Sequence, residues 1–160
     1  MKSRFLTKLA VAATVALSAV TVTKAQDTGL DQVGRAEYFE ALKGKRVVFI
    51  PISMGFDLTE SWAAIFRKDA AKLGYTFDIK DPNWSTDAGT KALTAAISEK
   101  PDLLIVHNPD IQSYARLLKR AQDDGIKVLQ INMPSVTTTD SYVGADWVEL
   151  GEAEAKALVD

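Results

Sequence analysis

From Lys45 onward the chain alternates short β-rich apolar runs with stretches whose apolar residues recur at helical spacing, and this alternation narrows the possible folds most. Arg46-Val47-Val48-Phe49-Ile50 is a β-rich run stopped by Pro51, and Thr59–Leu73 carries Trp62, Phe66, Ala70 and Leu73 at helical spacing. Thr59 reads as the N-cap of that helix and Gly74 as the residue that ends it. Tyr75–Lys80 alternates apolar and polar residues as a half-covered strand does. Thr86 or Asp87 can cap a helix running to Ser98. Leu103-Leu104-Ile105-Val106 is a continuous apolar run, as expected of a strand covered on both faces of a parallel sheet. The cycle repeats with a helix over Asp110–Asp124, a strand over Ile126–Ile131, a short strand at Tyr142-Val143-Gly144, and a last helix capped by Asp146. Strands separated by helices are parallel neighbours with right-handed crossovers. The expected fold class is therefore α/β, a doubly wound parallel sheet sandwiched by helices.

The N-terminus is of another kind. Met1–Lys8 is short and basic, Leu9–Val22 is uncharged and mostly apolar, and Thr23-Lys24-Ala25 ends with small residues on either side of Lys24. Basic start, apolar middle and small-residue exit define a secretory signal peptide. The apolar run is shorter than the roughly 20 residues that span a bilayer. Cleavage is expected after Ala25, with Ala19 as the alternative, and the mature protein is expected in the periplasm. Residues 26–44 read as a polar lead-in with a short helix over Asp31–Leu42, ahead of the α/β body that starts at Lys45.

Charge and composition remove several functions. Of 19 basic and 21 acidic residues, four basic ones (Lys2, Arg4, Lys8 and Lys24) lie in the first 25, leaving 15 against 21, a net charge of −6. A nucleic-acid partner would call for a basic face. The absence of cysteine excludes disulfides, thiolate catalysis and a lipidated N-terminal cysteine, and the single histidine excludes a multi-histidine metal site. No cofactor is implied.

In an open parallel sheet, ligands bind beyond the carboxyl ends of the strands. Those ends hold Ser53, Phe56 and Asp57; Asp81, Asn83 and Trp84; His107, Asn108 and Asp110; and Asn132 and Met133. Neutral amides donate and accept as sugar hydroxyls do, and aromatic faces cover the C–H face of a sugar ring. No glycine-rich loop or basic cluster is present to hold phosphate. Asn and Asp after strands also serve as turn formers and caps, and His107, after four apolar residues, reads as a structural hydrogen-bonder rather than a catalytic base. The residues set down for ligand binding are Ser53, Phe56, Asp57, Asn83, Trp84, His107, Asn108, Asn132 and Met133.

Three segments resemble the N-terminal part of periplasmic solute-binding proteins of the ribose-binding type. They are Arg46–Phe56 with the Trp62 helix and Lys72-Leu-Gly-Tyr75; Lys100–Val106 with Asp124–Asn132; and Tyr142-Val-Gly-Ala-Asp146 with Gly151 in the next helix. The resemblance implies a two-lobed protein that closes on a small polar ligand, a sugar or sugar derivative, and hands it to the permease of an ATP-driven importer. Contact with the membrane would be through that complex only. It implies ligand contacts from Ser53–Leu58, with Phe56 where relatives often carry asparagine. It also places Asn132-Met133 where relatives carry an aspartate–arginine pair, replacing a five-donor fork by a thioether that donates nothing. Under it, residues 45–145 form the N-terminal α/β ligand-binding lobe, residues 146–160 begin a truncated second lobe, and the sequence is expected to be a fragment. A sensor role towards a chemoreceptor or histidine kinase is the alternative. A repressor would need a basic helix-turn-helix where the export signal stands. A dinucleotide enzyme would need the glycine fingerprint where Pro51-Ile-Ser-Met-Gly-Phe stands.

Overall fold

A computed structural model describes residues 30–159, with side chains from Ala36. The export signal and the first residues of the lead-in lie outside the described residues. The elements run α1 (Leu30–Leu42), β1 (Arg46–Ile50), α2 (Asp57–Leu73), β2 (Thr76–Ile79), α3 (Thr86–Glu99), β3 (Leu103–Val106), α4 (Ala115–Asp123), β4 (Lys127–Ile131), β5 (Ser141–Val143) and α5 (Trp147–Val159). The five strands form one sheet in the order β2-β1-β3-β4-β5, and every pairing is parallel. The doubly wound sheet expected from the alternation is thus present.

The two-residue period of a strand divides the core between the faces. Val48, Ile50, Leu104, Val106 and Val128 pack with Leu93, Ala96 and Ile97 of α3 and Leu118 and Ala121 of α4. Val47, Phe49, Ile105 and Ile131 pack on the other face with Trp62 and Phe66 of α2. There Phe49, Phe66 and Phe77 form a three-ring cluster with centroids 5.5–6.3 Å apart. Helix α5 buries none of its residues and meets the body through its first residue, Trp147.

Some boundaries differ from expectation. Helix α2 starts two residues before Thr59, with Phe56 at the cap and no side-chain cap bond; Thr59 is buried in the first turn and its hydroxyl donates to the Phe56 carbonyl. Gly74 ends α2 in the left-handed region, φ +76°, as expected. Ser85, not Thr86 or Asp87, caps α3 by accepting from the Ala88 N–H. Helix α4 begins at Ala115 rather than Asp110, because the Asp110 carboxylate takes the N–H groups of Gln112 and Ser113, each at 2.7 Å, and holds that stretch as a turn. Asp146 caps α5 as expected, accepting from Val148 and Glu149 N–H.

At the amino edge of the sheet one device occurs twice. Asp102 accepts from the Lys45 ammonium (2.9 Å) and the Arg46 N–H (2.8 Å), and Asp140 accepts from the Lys127 ammonium (2.8 Å) and the Val128 N–H (3.0 Å). The Arg46 N–H and then Lys45 hold the Asp102 carboxyl below its ordinary pKa, and Lys127 and then the Val128 N–H do the same for Asp140. A carboxylate whose pKa is depressed by folding stabilises the fold above its unfolded pKa, and that contribution is lost as pH falls through the folded value. Stability is therefore expected to fall on acidification below about pH 4, the unfolded aspartate range. An Asp102→Asn, Asp140→Asn variant should show a flatter acid limb in urea titrations at stepped pH. An unchanged slope would show that these carboxylates do not govern it.

Candidate functional site

The sheet order reverses direction between β1 and β3: from β1 the chain goes outward to β2, then crosses to β3 and continues to the other edge. Loops leaving adjacent strands at such a switch diverge to opposite faces and open a crevice at the carboxyl edge. The loops after β1 and β3 carry Ser53, Phe56, His107 and Asn108, and the loops after β2 and β4 flank them with Asn83, Trp84, Asn132 and Met133. All the nominated residues thus lie along one edge, but with different freedom.

On the β1–β2 side, Asp81 is a brace. Its Oδ1 accepts from the Met54 N–H (3.1 Å) and the Asn83 N–H (2.8 Å), and the Trp84 N–H donates to the Ile52 carbonyl, so the two loops move as one. Asn83 and Trp84 both adopt the left-handed region, φ +48° and +65°. Phe56 stacks on Trp84 with centroids 5.3 Å apart and planes at 28°, while Trp84 stays two-thirds exposed (66%). Ser53 is buried and its hydroxyl donates to the Met54 carbonyl; Asp57 is the exposed first residue of α2.

On the β3–β4 side the two asparagines part company. Asn108 is buried, and its amide donates to Gln130 Oε1 (2.7 Å) and the Met133 carbonyl (2.8 Å), an internal tie rather than a free surface group. Asn132 is half-buried, at φ +62°, and heavily held through its backbone. Its N–H donates to Val143 O, and its carbonyl accepts from Tyr142 Oη (2.9 Å) and Trp147 Nε1 (2.7 Å). The Met133 N–H reaches back to Ile131 O at 2.8 Å, so Asn132 sits at the centre of a three-residue turn of the rarer hand. Its side-chain Nδ2 is 2.9 Å from His107 Nε2. His107 is buried against the Trp62 ring (centroids 5.4 Å), and burial pushes its pKa down, so the imidazole is neutral at pH 7.

Four residues of this edge were not singled out for the site from sequence. Trp62 packs against the core of that face and also against the rim histidine. Tyr142 and Trp147 belong to the segment after β4 and reach back to Asn132. Gln130 is buried, with Oε1 accepting from Asn108 Nδ2 and the Ser135 N–H and Nε2 donating to Thr137 O and Thr139 Oγ1. A glutamine inside the otherwise apolar run Val128-Leu129-Gln130-Ile131 was a readable signal. A hollow of about 570 Å³ next to Met133 is bounded by Ile111, Pro134, Tyr142 and Trp147, and one of about 270 Å³ lies between Ile52, Trp84, Ser85 and Tyr114.

Apart from carboxylates such as the exposed Asp57, and Asp146 beside the larger hollow, the groups on offer are neutral amides and aromatic rings. His107 has neither a nucleophile nor a carboxylate as a hydrogen-bonding partner, and no cluster of three metal-ligating side chains occurs among the described residues. The arrangement suits recognition by amide and aromatic groups.

Residues 47–160 match the periplasmic binding protein domain family. The chain is 31% identical over 97 residues to the D-xylose-binding periplasmic protein of Escherichia coli K12, covering 60% of this chain and 29% of that protein. It resembles the structure of an ABC transporter solute-binding protein from Agrobacterium vitis with bound allitol, with 25% identity and a TM-score of 0.66 over 74% of this chain and 40% of the other. It shares its fold with a periplasmic ribose ABC transporter protein from Conexibacter woesei, at 22% identity and a TM-score of 0.64 over 73% of this chain and 40% of that one. The chain therefore spans less than half the length of these relatives. A parallel sheet ordered 2-1-3-4-5, with its carboxyl edge open, and a family match over 47–160 lead to one assignment: the chain belongs to the periplasmic binding protein domain family.

Proposed function

We propose that the chain forms the first lobe of an extracytoplasmic protein that binds a small polyhydroxylated solute, an aldose or a sugar alcohol, and delivers it to an importer's permease. The observation that carries this reading is the pairing, at one sheet edge, of the stacked Phe56–Trp84 platform with a carboxamide, Asn132, whose backbone is held and whose Oδ1 has no hydrogen-bonding partner among the described residues. The exposed indole offers a face for a ring or chain of C–H groups, and the amide offers hydrogen bonds to hydroxyls. D-xylose and allitol, which two relatives are named for or hold, are solutes of that class. The signal-peptide reading of residues 1–25 supports a place outside the cytoplasm. Met133, in place of an arginine, removes donors and favours a solute with fewer anchored hydroxyls. Asn108 and Gln130 shape the rim from beneath, and the lobe carries out no covalent step.

D-xylose and allitol titrated into the labelled chain should shift the indole resonance of Trp84 and the side-chain amide of Asn132. Asn132→Ala should weaken that binding about tenfold, the equivalent of one hydrogen-bonding group worth about 1.4 kcal/mol. Shifts confined to other faces of the molecule, or an affinity indifferent to Asn132, would remove this rim from the binding site.

A further inference from the structure

The Asn132 backbone has no freedom left. Its N–H is taken by Val143 O, its carbonyl by Tyr142 Oη and Trp147 Nε1, and its φ is fixed at +62° by the turn that joins Met133 N–H to Ile131 O. With the backbone held, turning the carboxamide plane over exchanges an acceptor for a donor at the crevice. The group that touches the carboxamide from inside is His107 Nε2, at 2.9 Å. The other imidazole nitrogen, Nδ1, is buried with no hydrogen-bonding partner among the described residues. A buried polar atom without a partner in a native fold asks for a reason.

We propose that His107 is a positioning residue that sets the hydrogen-bonding polarity of the rim: the neutral ring carries its proton on Nδ1, accepts the Asn132 amide at Nε2, and so turns the Asn132 oxygen outward. The unpaired Nδ1–H is then the consequence of committing the Nε2 lone pair to Asn132. Protonation places a hydrogen on Nε2 as well, and two donors cannot face each other. The carboxamide must turn over, presenting Oδ1 to the imidazolium and its NH2 group to the crevice. The rim would switch from accepting a solute hydroxyl proton to donating one. By linkage, a solute that donates to the Asn132 oxygen lowers the proton affinity of His107, and acid weakens that solute's binding. The groups that meet the ring bring no charge to it: α2 contributes Trp62 and the end of β4 contributes Asn132, and no charged neighbour adds to the effect of burial.

The inference rests on the proposed function for its meaning at the crevice, but its test needs no solute. In the chain labelled with 15N, the His107 ring shifts at pH 7 should report the Nδ1–H tautomer. One Asn132 NH2 proton should be slow to exchange, and the Asn132 side-chain signals should move with the same midpoint as His107 when pH is lowered. In His107→Gln, which cannot titrate, that movement should vanish. An Nε2–H tautomer at pH 7 would overturn the proposal, as would Asn132 signals that ignore the His107 titration or keep it in His107→Gln. If acid unfolds the chain before His107 titrates, the tautomer at pH 7 decides alone. Failure of D-xylose to bind at any pH would count against the proposed solute and leave these spectra unaffected.

Discussion

Gly89→Ala is expected to destabilise the lobe by about 3 kcal/mol, the upper part of the range for adding a methyl group to a packed core. Helix propensity alone argues the other way, since alanine in a helix interior gains about 1 kcal/mol over glycine. Space decides between them. A Cβ on Gly89 would lie 1.6 Å from Tyr114 Oη and 2.7 Å from its Cζ, with Pro82 Cβ at 3.3 Å. Tyr114 is 1% exposed at the junction of α3, α4 and the sheet, so its ring must leave its packing there, towards the hollow beside Ile52 and Trp84, to admit a methyl group. Burial and the nearby Asp110 push the phenol up to about 12, so it remains a protonated hydroxyl throughout the working range. Urea denaturation should show the lower midpoint, and Tyr114→Phe in the same background should recover part of the loss by removing the closest atom. Gly151→Ala is the control: nothing lies within 4 Å of a Cβ there, so only the gain in propensity remains. A Gly89→Ala midpoint at or above that of the unaltered chain would mean that α3 and Tyr114 are not packed as described.

Gln130→Ala should cost a similar amount, about 2–3 kcal/mol, because a buried polar group left unmatched costs about 1–3 kcal/mol and the deleted side chain leaves a cavity. The Ser135 N–H loses the partner that Gln130 gave it, while Thr137 O keeps the Ser135 hydroxyl, Asn108 keeps the Met133 carbonyl and Thr139 keeps Ser141 O. The damage should spread along residues 133–139, seen as faster amide exchange there than in β1 or β3. Gln130→Glu separates hydrogen bonding from shape. The carboxylate can still accept from Asn108 and Ser135 but has nothing to donate to Thr137 O. Burial raises a carboxyl pKa, and the protonated form regains a donor. This variant should therefore become more stable, relative to the unaltered chain, as pH falls from 7 towards 5. A Gln130→Ala variant as stable as the parent, with 133–139 still protected, would show that the network is dispensable.

These two positions show why the fold was legible in the sequence and the site only in part. The order of strands and helices is written in local periodicity, and Gly74 and Asp146 act where local chemistry says they should. Boundaries failed where a side chain competed for the backbone. Asp110 captures two N–H groups that a helix would have used, and Ser85 reaches the Ala88 N–H ahead of Thr86. At the rim, Asn108 and Asn132 look alike in sequence, each following a strand. Their difference is non-local. The β3–β4 register sets Val106 beside Gln130, which brings the glutamine side chain to Asn108, while Asn132 lies one step past the end of β4 and meets His107. No window of sequence around either asparagine contains that information. The brace at Asp81 was hidden likewise, since it joins backbone groups from two separate loops.

The shared carbonyl of Asn132 has a mechanical side. Trp147 is the first residue of α5 and grips the same oxygen as Tyr142. A helix anchored at one end by its leading side chain behaves as a rod on a pin. A tilt of α5 about that pin pulls on the turn at Asn132 directly, so a force on the far end of the rod has a lever on the rim without touching the solute.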